Sequence, residues 1–210
     1  MKTRSRVFGF QPRIALRRDF CSATSLCDDE PEVNEMMAMV GRHIEKVYKQ
    51  HFGKTVEKQY QILKDKVLPE WQIEGTPFTS GIINLNNPLP YHFDAGNFKD
   101  VCSCMIAFKG STAGGYLSMP EFNLALEISD HSLSIFDGQK ILHGVTPIKK
   151  LKNDAYRITA VYYTLKGMWN CEPLTDELAR IRNVKTKREN TRAGVDSEVY
   201  IDNNGIVTNE

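Results

Sequence analysis

Apolar residues recur at intervals of three and four between positions 33 and 48, where Val33, Met36, Met37, Val40, Ile44, Val47 and Tyr48 mark one face of an amphipathic helix. Asp28, Asp29, Glu30 and Pro31 precede the run. Acidic residues favour the positive end of a helix dipole, and a proline at the first position gives up a donor that has no partner there. Met36, Met37 and Met39 are read as core packing rather than as a cofactor box. Gly53 is expected to break the helix, and a second helix over residues 55–66 turns Val56, Tyr60 and Leu63 inward. From Phe78 the period changes to two. Short apolar runs at 80–85, 91–94, 101–108, 116–119, 124–128, 133–136, 141–148 and 156–165 are separated by Gly, Asp and Asn, the texture of a β-sandwich or barrel. Helices placed before such a core cover the outside of a sheet. Residues 174–188 read as a charged helix and 191–210 as a polar tail; no internal repeat is present.

A chain of 210 residues suits one domain. Its expected parts are a basic N-terminal arm (1–28), a helical support (29–72), a β core (73–170) and the charged helix with its tail (171–210). Within the arm, a strand or a segment lying on the core is expected. A net charge of +1 gives no global attraction to nucleic acid. Local charge is denser: Lys2, Arg4, Arg6, Arg13, Arg17 and Arg18 crowd the start, and Arg180, Arg182, Lys185, Lys187, Arg188 and Arg192 the end. These runs either neutralise phosphates or form solvated tails. Five cysteines without repeating spacing do not make a disulfide framework, which fits a reducing compartment. Cys102 and Cys104 share a strand face and are read as buried small hydrophobes, since no second Cys/His pair completes a zinc site. The absence of a long uncharged apolar run argues against a membrane span, and the lack of an apolar h-region argues against a secretory signal. A cytoplasmic monomer is the expectation, in the host cell if the source is viral.

The chemistry concentrates between residues 90 and 165. His92 and Asp94 stand two apart, so on a strand both side chains point to one face and can share a metal. His143 from a distant strand would complete a 2-His-1-carboxylate triad, which leaves positions open on a non-haem Fe(II) for a cosubstrate and O₂. Arg157 follows fourteen positions later. A turn near residues 150–154 would set it on the order of 10 Å from the metal along the strands. There a guanidinium could grip the far carboxylate of a chelating dicarboxylate; the alternative is an internal salt bridge. This logic narrows the barrel to a double-stranded β-helix of the jelly-roll type, mainly β with flanking α, covered by the N-terminal helices. His43, His51 and His131 are read as structural or exposed, and Gly114-Gly115 as a hairpin rather than a phosphate loop.

The stretch 91–98 (Tyr-His-Phe-Asp-Ala-Gly-Asn-Phe) resembles the TET/JBP family. So do Gly114-Gly115-Tyr116-Leu117 with Pro120-Glu121, Ser132-Leu133 with Phe136-Asp137-Gly138, His143-Gly144-Val145-Thr146-Pro147, and Arg157 with Tyr162-Tyr163. The likeness is strongest to the small stand-alone members of bacteriophages and bacteria, and covers the middle third to half of the chain. It implies an Fe(II)- and 2-oxoglutarate-dependent dioxygenase, using O₂, that converts the methyl group of thymine or 5-methylcytosine in DNA to a 5-hydroxymethylpyrimidine. It further implies that Arg157 and Thr159 bind the cosubstrate. Tyr91 is a further candidate for that contact, Asn97 contacts the base, and Phe98 or Phe93 stacks on it if neither is simply packed. For Asn97 plain turn chemistry is the alternative. Two other functions stay open: an oxygenase of the same chemistry acting on a protein side chain or small molecule, and a non-enzymatic nucleic-acid-binding module. The sequence does not choose between the two pyrimidines.

Overall fold

The computed structural model describes residues 2–14, 18–192, 200–201 and 207–208. In chain order the elements are β1 (Arg4–Gln11), β2 (Ser22–Ala23), α1 (Ser25–Asp29), α2 (Pro31–Lys66), β3 (Ser80–Leu85), β4 (Ser103–Gly110), β5 (Thr112–Gly114), β6 (Leu117–Met119), β7 (Leu124–Leu126), β8 (Ser132–Phe136), β9 (Gly144–Val145), β10 (Ile148–Lys150), β11 (Tyr156–Tyr163) and α3 (Leu174–Arg192). A further short pair, Tyr200–Ile201 with Val207–Thr208, closes the described residues. The rest of the expected polar tail, like Arg17, lies outside them.

Six strands form the main sheet in the order β2-β1-β3-β11-β4-β8, every pairing antiparallel. The small β7-β6-β9 sheet packs its Leu117 and Met119 against residues of the main sheet, and β10 pairs with β5. Strand β11 shows how the sequence builds two layers from one ribbon. Ala160 and Tyr162 pack with α2 in one core, while Arg157, Thr159, Val161 and Tyr163 line a cavity on the other side. That is the two-residue period of a strand buried on both faces. A second core, including Met105, Ala107, Leu117 and Met119, fills the barrel between main and small sheets. The architecture is a double-stranded β-helix backed by helix.

Helix α2 runs as one element with non-helical backbone at Phe52 (φ −135°, ψ 41°), one residue before the expected break at Gly53. Its buried stripe is Met37, Ala38, Gly41, Ile44 and Tyr48. Gly41 lies where a Cβ would come within 3.1 Å of the Tyr162 ring, so a small residue lets helix and sheet approach. This choice of face corrects the apolar reading, because Met36, Met39 and Val47 are exposed, and of the three methionines only Met37 packs. After the kink, Gln59 is fully buried; Tyr48 donates to its Oε1, and its Nε2 donates to Pro77 O and Thr164 Oγ1.

The basic start contains the strand expected within it: β1 pairs with β3 over six residues, and several of the cations read as phosphate-binding or solvated are instead spent internally. Arg6 bonds Glu30, Arg13 bonds Glu177 and Glu172, and Arg18 bonds Gln11 and the Pro12 carbonyl. At the other end Arg180 pairs with Glu172 and Asp19. Burial alone would raise the fully enclosed Glu177 carboxyl. The N–H groups of Glu172 and Cys21, with Arg13, outweigh this and hold it below the usual carboxylate range. Cys21 and Cys171 are joined by a disulfide across a separation of 150 residues, packed among Leu63, Trp71 and Met168. Cys104 is buried and Cys102 half-buried, and both are free thiols raised by burial. No described helix is long and apolar enough to cross a membrane.

Candidate active site

The site begins with two short extended segments running antiparallel. His92 N–H donates to His143 O (2.8 Å), and His143 N–H returns a bond to His92 O (3.1 Å). The rings stand 4.4 Å apart, centroid to centroid. Each ring is also oriented from behind: Nδ1 of His92 lies 2.9 Å from Pro90 O, and Nδ1 of His143 lies 2.9 Å from Ile141 O. A carbonyl only accepts, so each Nδ1 carries a proton, and in the neutral ring this tautomer leaves Nε2 with the lone pair. This is the support a metal-binding histidine receives in general. Asp94 Oδ1 sits 3.5 Å from Nε2 of His92 and 3.9 Å from Nε2 of His143. The three ligand atoms lie within 4.8 Å of one another, and the described residues contain no other such cluster of three or more His, Cys, Asp or Glu side chains.

Asp94 is itself held. Its N–H donates to Gly138 O at 2.8 Å, and its Oδ2 receives Ser103 Oγ at 3.4 Å and Asn97 Nδ2 at 3.5 Å. That leaves Oδ1 for an ion. The backbone at Gly138 passes so near that a Cβ there would lie 2.2 Å from Oδ2, which explains the glycine.

Arg157 lies at another wall of the same cavity, which measures about 410 Å³. It is 1% exposed, and its Nε and Nη2 have no hydrogen-bond partner. Burial lowers its pKa. Among the described residues no carboxylate pairs with it, which removes the internal salt bridge as an explanation. Room for the side chain comes from Gly115, in the left-handed region at φ +69°, where a Cβ would press to 2.9 Å on Arg157 Cδ and Nε. An unpaired buried guanidinium is costly, and an anion entering the cavity relieves that cost. Two Nε2 lone pairs and a carboxylate oxygen suit Fe(II), and the orphaned guanidinium suits the free carboxylate of 2-oxoglutarate. The residues present therefore fit both groups.

The other expected contacts divide. Thr159 lines the cavity and is buried. Tyr91 does not line it: as the neighbour of His92 in an extended segment it faces the opposite way, half-exposed, with its hydroxyl 2.9 Å from Ser118 Oγ. Phe98 is also misplaced for stacking, being buried in the core beneath Trp71 and Val101. Phe93 is exposed beside the ligands. Asn97 borders the cavity but is 4% exposed, its amide nitrogen turned to Ser103 (3.0 Å) and Asp94. His43, His51 and His131 lie at the surface. Sequence reasoning missed Ser5, Asn84 and Asn87, which all border the cavity. The available signal was Asn84 itself, a polar residue inside the apolar run of β3.

A sequence profile of the TET/JBP family, described as the oxygenase domain of the 2OGFeDO superfamily, matches residues 12–166. The chain is 26% identical over 154 residues to a thymine dioxygenase JBP1 of Leishmania major, covering 72% of this chain and 19% of the relative. It is 23% identical over 134 residues to a bifunctional helicase and thymine dioxygenase JBP2 of Trypanosoma brucei brucei, covering 64% of this chain and 12% of the relative. It thus spans a fifth or less of the length of these relatives. The fold is that of NgTET1, solved in complex with 5mC DNA: TM-score 0.63 at 15% identity, over 87% of this chain and 69% of that one. The profile match over most of the chain, on a double-stranded β-helix that gathers a His-Asp-His cluster, shows that this protein belongs to the TET/JBP family of oxygenase domains in the 2OGFeDO superfamily.

Proposed function

We propose that the chain is an Fe(II)- and 2-oxoglutarate-dependent dioxygenase that hydroxylates the 5-methyl group of thymine or 5-methylcytosine in DNA, giving a 5-hydroxymethylpyrimidine. The observation that carries the reading is the buried, unpartnered guanidinium of Arg157 sharing one cavity with the His92-Asp94-His143 cluster. His92, Asp94 and His143 hold the iron, while Arg157 and Thr159 take the far carboxylate of 2-oxoglutarate. When bound, the iron and cosubstrate supply oxidation of a C–H bond by O₂, with 2-oxoglutarate leaving as succinate and CO₂. The protein's own part is orientation and exclusion of water. Ser103 and Asn97 fix the Asp94 rotamer, and the Pro90 and Ile141 carbonyls fix both imidazoles. Asn97 acts first as a holder of Asp94, so the base contact expected of it falls to whatever its side-chain oxygen can reach.

DNA as substrate is supported by relatives named as thymine dioxygenases. A site this enclosed receives a base only after it leaves the stack. Exposed Arg182, Lys185 and Lys187 on α3 offer charge for the flanking phosphates. The test is succinate formation with Fe(II) and 2-oxoglutarate in the presence of DNA carrying thymine or 5-methylcytosine, against peptides and free amino acids. Stimulation by DNA alone supports the reading. Stimulation by peptides or amino acids instead would move the chemistry to another substrate class.

A further inference from the structure

The cavity wall beside Thr159 carries a polar row that the site has not yet used. Ser5 on β1 pairs in register with Asn84 on β3, and Asn84 pairs with Thr159 on β11. Directly paired residues of neighbouring strands share a face, so the three side chains stand abreast, and all three border the cavity. Asn84 is 3% exposed, at the centre of the main sheet.

The hydrogen bonds in this row have a direction. Asn87 Nδ2 donates to Ser5 Oγ at 3.0 Å, and Ser5 Oγ donates to Asn84 Oδ1 at 2.6 Å. Asn87 occupies an acceptor site of the hydroxyl and leaves its single proton for Asn84. In this arrangement the Asn84 oxygen is taken by Ser5, and its NH₂, which has no partner among the described residues, is the end left over. An amide donor on the cavity wall that no protein group takes up is one that a ligand entering the cavity can satisfy. Two residues along β11 from Thr159 stands Arg157, again with unpaired N–H groups. This part of the cavity presents donors and a cation, and no carboxylate.

The geometry points to Asn84 as a cosubstrate-binding residue, donating through Nδ2 to a carboxylate oxygen of 2-oxoglutarate beside Arg157 and Thr159. Ser5 is a positioning residue, acting through Asn84. The N-terminal strand is thereby part of the binding site, not an appendage. This inference rests on the functional reading above.

It is tested by calorimetric titration of 2-oxoglutarate into the full chain loaded with Mn(II), a stand-in for Fe(II) that avoids turnover, with a thermal melt of each variant. Asn84→Ala weakens 2-oxoglutarate binding about tenfold, the loss of one hydrogen bond to a charged group. Asn84→Asp, nearly isosteric, weakens it further because a carboxylate now faces a carboxylate. Ser5→Ala weakens it about threefold and Ser5→Thr restores it, while Mn(II) affinity stays unchanged in all four. The two Ser5 variants keep the test open should Asn84→Ala fail to fold. Asn84→Asp and Ser5→Ala binding 2-oxoglutarate within twofold of wild type, with Arg157→Gln still impaired, would overturn the role of Asn84 and leave the functional reading standing. Wild-type protein that takes Mn(II) but no 2-oxoglutarate would overturn both.

Discussion

Gly138→Ala tests the metal site through a residue that is not itself a ligand. The added Cβ would lie 2.2 Å from Asp94 Oδ2 and 3.0 Å from its Cγ, whereas ordinary contact begins near 3.4 Å. The carboxylate must therefore retreat by roughly 1 Å, against metal–ligand distances that tolerate about 0.2 Å. It has little room, because Ser103 Oγ and Asn97 Nδ2 already back the same oxygen at 3.4 and 3.5 Å. The backbone at Gly138 is not left-handed, so alanine meets no conformational objection of its own. The expected result is a 10- to 100-fold loss of Mn(II) or Fe(II) affinity by calorimetry, the range seen when support of a metal ligand is lost. The far-ultraviolet spectrum should stay native. Gly53→Ala, with nothing within 4 Å of the new methyl, serves as the neutral control. A Gly138→Ala protein that binds metal within twofold of wild type would refute the claim that Asp94, held in this rotamer, is a ligand.

Arg157→Gln should raise the 2-oxoglutarate concentration needed for half-maximal turnover about 100-fold while leaving Mn(II) affinity intact; equal loss of both would mean that the arginine supports the fold rather than the cosubstrate. Removing the Cys21–Cys171 bond by paired serine substitution should cost roughly 3–5 kcal/mol in denaturant unfolding, given the long loop it closes, and an unchanged midpoint would show the bond to be absent or idle. Glu177 gives a pH signature. Its folded pKa lies below the ordinary value of 4.5, so its contribution is present above that value and is lost as pH falls through the folded pKa. Glu177→Gln should therefore be less stable than wild type at neutral pH, with the gap narrowing in acid; parallel stability profiles from pH 7 to pH 3 would count against the assignment.

Much of this architecture is legible in the chain because it rests on short-range periods. The alternation within residues 156–163 separates helix-facing Tyr162 from cavity-facing Arg157 and Thr159, and the spacing of His92 and Asp94 puts both on one side. The same rule, applied strictly, would have turned Tyr91 away from the cavity. What stayed hidden depends on residues distant in sequence. Strand β1 reads Arg-Ser-Arg-Val-Phe before Gly9, with no sustained alternation, and its partners on β3 lie about seventy to eighty positions on. The disulfide spans 150 residues. Gln59 and Glu177 are polar side chains on otherwise exposed-looking helices, and they are enclosed only because remote backbone groups meet them. The methionines misled for another reason: Ala38 and Gly41 set which face of α2 approaches the sheet, and hydrophobicity alone ranks Met36 above either.

The central claim is that His92, Asp94, His143 and Arg157 together make one oxygenase site acting on a methylated pyrimidine. Mass spectrometry of nucleosides, released from DNA containing thymine and 5-methylcytosine after incubation with the full chain, Fe(II) and 2-oxoglutarate, addresses it directly. The account predicts a 5-hydroxymethyl nucleoside formed in step with succinate, and none with Asp94→Ala. Unaltered nucleosides from metal-loaded, folded wild-type protein, or equal product from Asp94→Ala, would contradict it.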